Sequence, residues 1–154
     1  MAISIGALCD AVATTLSTTA GLATTQSYDQ LTEGMNTLPC LQVYPERWEV
    51  SADSGTDRLT FVKQSTGVPG VRQTELTLHL DLYVRQRSQL DEDWGAAVDL
   101  ASVMQDKLDE EGPCPHFGDG TYIRSFRYSV QRVIFAYAQT SYLGFRFTLT
   151  MRVF

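Results

Sequence analysis

Two stretches of regular alternation constrain this chain more than any other feature. Leu76, Leu78, Leu80, Leu82 and Val84 alternate with Glu75, Thr77, His79, Asp81, Tyr83 and Arg85. Near the other end, Leu143, Phe145, Phe147, Leu149, Met151 and Val153 alternate with Gly144, Arg146, Thr148, Thr150, Arg152 and Phe154. Side chains in a strand point alternately to opposite faces, so a period of two gives each segment one dry face and one polar face. One-sided strands of this kind belong to antiparallel sheets.

The dry faces need cover, and two helical patterns supply it. In Ser4–Ala20, Ile5, Leu8, Val12 and Leu16 repeat at three- and four-residue steps, and Gly21 is the expected stop. In Asp91–Glu111, Trp94, Ala97, Val98, Ala101, Met104 and Leu108 form a second stripe. Asp91 reads as its N-cap, Glu92 and Asp93 suit the positive helix start, and Gly112-Pro113 closes it. Shorter strands are expected at Cys40–Tyr44, continued by Trp48–Val50 past Pro45, and at Leu59–Lys63. Tyr122–Tyr137 reads as a strand whose apolar phase changes, which predicts a bulge or a bend near Arg132–Ile134. Leu22–Leu38 reads as loop with a short helical turn near Tyr28–Gly34, and Gln64–Gln73, with Gly67, Pro69 and Gly70, as a long projecting hairpin loop. The order of helix, strands, helix, strands is not the alternation of a parallel sheet. The expected fold is α+β: one domain spanning 1–154, with a four- to five-stranded antiparallel sheet and two helices packed on one face.

Composition fits that class. The 154 residues are 44% hydrophobic and 19% charged, a globular balance in a chain long enough for one core. The net charge of −6 argues against general nucleic-acid binding, which needs a basic surface. The charge is polarised: acids gather in Asp91–Glu111, and Arg124, Arg127, Arg132, Arg146 and Arg152 lie in the last third. A chain with one acidic and one basic region can pair with copies of itself. No apolar run reaches the roughly 20 residues of a membrane span, and Met1–Leu8 lacks the basic start of a signal peptide, so folding in the cytoplasm is expected. Cys9, Cys40 and Cys114 are odd in number and widely spaced, as reduced thiols would be.

Enzyme signatures are thin. Cys114, His116 and Asp119 are ligand-type residues, but the only other histidine is His79, and the surrounding Pro113, Pro115, Gly118 and Gly120 describe a turn. A thiol pair with His79 or His116 has no signature around it. The acidic groups Asp91, Glu92, Asp93 and Asp109, Glu110, Glu111 lie about 25 Å apart along a helix at a rise of roughly 1.5 Å per residue, too far to share a substrate. Gly67-Val-Pro-Gly70 is not a phosphate loop. No cofactor is expected. The polar sheet face, with Arg85, Arg146 and Arg152, reads equally as solvated surface or as interface.

The order of elements resembles the tail-terminator (tail-completion) proteins of long-tailed bacteriophages. The resemblance is carried by the N-terminal helix, LPCLQVYPE at Leu38–Glu46, the long loop-bearing hairpin, ELTLHLDLYVR at Glu75–Arg85, the acidic-capped helix and YLGFRFTLTMRVF at the end. It implies a non-catalytic virion protein, assembled in the host cytoplasm and located at the tail–neck junction. It implies a homo-oligomer, a hexameric ring, that caps the head-proximal end of the tail tube, stops its growth and contacts the tail-tube and neck proteins. Expected interface residues are Arg85, Arg124, Arg127, Arg146 and Arg152, the acids Asp91, Glu92 and Asp93, and loop residues Val68, Pro69, Val71 and Arg72. Alternatives are a neck or head-closure connector, a small thiol- or metal-dependent enzyme, and a host ligand-binding domain of similar fold.

Overall fold

The computed structural model describes residues 4–32, 37–51, 73–86, 90–110, 123–137 and 139–153. Its elements are α1 (Ile5–Leu16), β1 (Thr24–Gln26), β2 (Cys40–Ser51), β3 (Gln73–Gln86), α2 (Leu90–Glu110), β4 (Ile123–Tyr137) and β5 (Thr140–Val153). The five strands form one sheet in the order β1-β2-β3-β5-β4. Every neighbouring pair is antiparallel except the short parallel pair β1–β2. The expected α+β sheet with two helices is therefore present. The expected strand at Leu59–Lys63 and the loop at 64–72 lie outside the described residues, and the fifth strand is β1.

β1 corrects the reading of Leu22–Leu38 as loop. Its three residues alternate nothing and carry no large apolar side chain, so no period marks them. What holds them is tertiary: Thr24, Thr25 and Gln26 pair with Cys40, Leu41 and Gln42, and the Gln42 side chain donates to Gln26 Oε1 at 2.9 Å. Tyr28 and Asp29 form a turn rather than helix.

α1 starts as its sequence directs. Ser4 caps it, its hydroxyl accepting from the Ala7 amide at 3.2 Å. The helix stops at Leu16, four residues short of the expected Ala20. The Ser17 and Thr18 hydroxyls donate back to the carbonyls of Thr14 and Thr15, competing with the helical pattern. The chain then reverses through Gly21, whose φ of +88° favours glycine. α2 begins at Leu90, so Asp91 lies inside its first turn and is not its cap.

One core joins both helices to one sheet face. Leu8, Val12 and Leu16 of α1 and Ala97, Met104 and Leu108 of α2 pack with Leu41 and Val43 of β2 and with the alternating residues of β3 and β5. The rows run straight across: Leu78 opposes Leu149, Leu80 opposes Phe147 and Leu82 opposes Phe145. β2 is a single strand through Pro45, with its register shifting between Pro45 and Arg47. β1 reaches only Cys40–Gln42, so Pro45 lies on a stretch of β2 with no described strand on its outer side, as prolines in sheets commonly do.

Of the expected bulge or bend near Arg132–Ile134, the bulge is absent, and the phase change has another cause. Arg132, Val133 and Ile134 pair in unbroken register with Phe145, Gly144 and Leu143, and the slip lies between Ile123 and Ser125. Apolar residues appear in both phases because the sheet's far face also carries a small core at this end: Cys40, Tyr83, Phe135 and Tyr142.

The face assignment makes a direct prediction. Phe147→Ala should cost about 3–5 kcal/mol in urea unfolding, because it removes a fully buried ring, while neighbouring Thr148→Ala should stay within about 0.5 kcal/mol.

Candidate functional site

The far face of the sheet, opposite the helices, is not uniformly wet. Asp81 is 2% exposed there. The β3–β5 register sets it opposite Arg146, and β2 brings Tyr44 beside both. Arg146 donates from Nε to Asp81 Oδ1 at 2.7 Å and from Nη2 to Oδ2 at 3.0 Å, and the Tyr44 hydroxyl donates to Oδ2 at 2.6 Å. The guanidinium also stands over the Phe135 ring at 5.7 Å. Hydrogen bonding to Asp81 raises the pKa of Arg146 despite partial burial, and burial followed by the bond to Asp81 raises that of Tyr44. Both carboxylate oxygens are engaged. The geometry fastens three strands together and leaves neither oxygen open for proton transfer.

Beside this network lies the aromatic cluster. Tyr83 is buried, stacks on Phe135 at 4.3 Å between ring centroids, and shares a 2.6 Å hydrogen bond with Tyr137. Burial, then this bond, raises its pKa. Gly144 makes the packing possible. A Cβ at that position would collide with the Leu82 carbonyl oxygen and approach Phe135 Cε2 to 2.8 Å. Farther along, His79 meets Glu46 at 2.9 Å and Arg152 meets Glu75 at 3.4 Å.

The described thiols are poorly set for nucleophilic work. Burial first, and then the neighbouring Asp10 charge, push Cys9 up to about 12; burial pushes Cys40 up to about 11. Both are thiols at neutral pH, whereas the thiolate is the nucleophile. Among the described residues no group of three or more His, Cys, Asp or Glu is placed to hold a metal. Cys114, His116 and Asp119 lie outside the described residues. An open cleft of about 300 Å³ lies between α1 and the β1 region, bordered by Asp10, Thr14, Ser17, Thr25 and Asp29. Three of its polar side chains are engaged within the chain: Ser27 bonds Asp10 across it, and Ser17 bonds the Thr14 carbonyl.

Among the described residues, unpaired strand backbone lies at the sheet edges. β4 pairs only with β5, so among the described residues its outer edge is open over 15 residues. It contains no proline, glycine or acidic residue, and it bears Arg124, Arg127 and Arg132. Val130 and Ile134 are 40% and 41% exposed on its helix-side face. At the opposite edge, among the described residues β1 leaves β2 uncovered beyond Gln42, and Trp48 there is 52% exposed. Exposed edges are pairing templates, and proteins usually blunt them with proline, bulges or short length.

The expected interface residues scatter across this geometry. Arg127 is exposed on the far face of β4. The Arg124 side chain lies outside the described residues. Arg146 is held by Asp81, and Arg152 by Glu75. Arg85 is not in line with Asp81 and Tyr83 as its alternation implied: the register slips after Tyr83 and sets it opposite Leu143. Asp91, Glu92 and Asp93 sit in the first turn of α2, with side chains outside the described residues, as are Val68, Pro69, Val71 and Arg72. The second acidic cluster has partners within the chain. Tyr128 donates to Asp109 at 2.6 Å, and Lys107 pairs with Glu110 at 3.2 Å. Nothing in the sequence singled out Tyr44 or the exposure of Trp48; only the pairing register reveals them. Compared with models of protein families and with curated proteins, the chain finds no match.

Asp81→Leu should destabilise the fold by about 2–4 kcal/mol in denaturant unfolding, because it strands a partly desolvated guanidinium. Adding Arg146→Met should recover much of the loss, the signature of a pair whose value lies in being complete.

Proposed function

We propose that this chain is a structural subunit of a long-tailed phage virion, a tail terminator that assembles into a ring on the head-proximal end of the tail tube. It ends tube growth and joins the tail to the neck, contacting the tail-tube protein on one side and a neck protein on the other. The observation that carries the reading is the edge of β4, which among the described residues is open, long and flanked by half-exposed valine and isoleucine. Edges of this kind recruit another strand by main-chain hydrogen bonding. A contact between two different edges of the same protein is heterologous, and it closes into a ring when its rotation allows. The element order of the tail-terminator proteins, which the chain resembles, supports the same conclusion. The engagement of Asp81, Arg146 and the two buried thiols in packing agrees with a role that involves no catalysis.

Negative-stain imaging of the purified protein, alone and with tail-tube protein, tests the proposal. Six-fold rings that seat on one end of assembled tubes are expected. A protein that stays monomeric across concentration and with tube protein present overturns the proposal. Rings that bind the neck but never the tube would assign the chain to the neck connector.

A further inference from the structure

We infer that the occupant of the β4 edge is the outer half of β2 from a second copy, paired antiparallel with Glu49 opposite Arg127 and Trp48 opposite Tyr128. This rests on the ring reading above and names its subunit contact.

Charge disfavours the simplest alternative, β4 against β4. That strand carries three arginines and no acid, so self-pairing sets like charges together. Among the described residues, the uncovered part of β2 offers the opposite sign: exposed Glu49, with Arg47 beside it and Glu46 turned to His79. Glu49 and Arg47 bridge each other only loosely, at 3.6 Å and with both side chains at least 70% exposed, so Glu49 remains accessible to a second cation.

Direction agrees as well. β2, β3, β5 and β4 are successively antiparallel, so β2 and β4 run in opposite directions. A copy placed by rotation about an axis near the strand direction sets its β2 antiparallel to β4, with the helices of both copies on the same side.

Side-chain phase gives a third, independent agreement. Trp48 opposes Leu76 and so points to the helix side, whereas Glu49 opposes Glu75 and points to the far face. On β4, Tyr128 opposes Leu149 on the helix side, and Arg127 opposes Thr150 on the far face. An antiparallel register that joins Glu49 to Arg127 necessarily joins Trp48 to Tyr128, with exposed Val130 next on the same face. Trp48 and Val130, exposed at the two edges, are then covered by one junction, which ends short of Ile134 because β1 occupies Cys40–Gln42.

Charge exchange tests the contact. Glu49→Arg and Arg127→Glu should each raise the concentration needed for ring assembly by about tenfold or more, with unchanged circular dichroism. A mixture of the two variants should assemble like the parent, because alternating copies restore an Arg–Glu pair at every junction. A Glu49→Cys/Arg127→Cys variant gives a second readout. The two positions lie three strand spacings apart within one chain, at least about 14 Å, beyond the reach of a disulfide, so a cross-link between positions 49 and 127 joins two copies. A cross-linked ladder, absent in either single variant, is expected. Rings that form in the parent and in both charge variants alike, with no ladder, would overturn this contact and leave the ring reading standing. A parent protein that never assembles would overturn both.

Discussion

The register between β3 and β5 is the constraint on which everything else depends. Fixing it places Leu76, Leu78, Leu80 and Leu82 against Met151, Leu149, Phe147 and Phe145 on one face, and Asp81 against Arg146 on the other. A slip of one residue would turn every one of these side chains to the wrong face. The apolar rows favour the correct phase, and the Asp81–Arg146 pair marks the correct row within it, since a two-residue slip would keep the phase but separate the charges. Tyr44 ties β2 to the same carboxylate, so three strands share a single polar anchor.

That anchor changes what the far face of the sheet is for. With Asp81 buried, Tyr83 under Phe135 and Gly144 admitting the ring, the end of the face near Cys40 is a second, smaller core. Arg127 on β4, and Arg47 and Glu49 on β2, remain exposed at the two edges, while exposed Arg152 on β5 pairs with Glu75. The middle of the sheet is committed to holding the fold, and the edges are left to meet other molecules. The polarised charge of the sequence thus resolves into two edges of opposite tendency, with α2's acids at Asp109 and Glu110 absorbed by Tyr128 and Lys107.

How much of this was legible in the sequence depended on whether the signal was local. β3, β5 and α2 were legible because their apolar periods run for ten residues or more, and each repeat reinforces the last. β1 was not, since three residues held by pairing with Cys40–Gln42 leave no period. The end of α1 was misplaced because the threonines and serine there continue a helical composition while their hydroxyls compete for its carbonyls. The candidate site was the least legible part. The arginines could be counted, but which of them are engaged within the chain follows from register: Asp81 faces Arg146 across 65 positions of sequence, and a one-residue bulge moves Arg85 out of line. Edge and centre are likewise properties of strand order, which alternation does not encode.

The most direct measurement is hydrogen–deuterium exchange of the backbone amides of β4, compared between dilute and concentrated protein. Outward-facing amides of an open edge exchange readily, and a strand added there should protect them. The account predicts that assembly slows exchange at alternate residues of Ser125–Val133 and in the outer half of β2, while β3 and β5, central in the sheet, are protected at both concentrations. Exchange in β4 that is the same in monomer and assembly, with new protection confined to other elements, would contradict it.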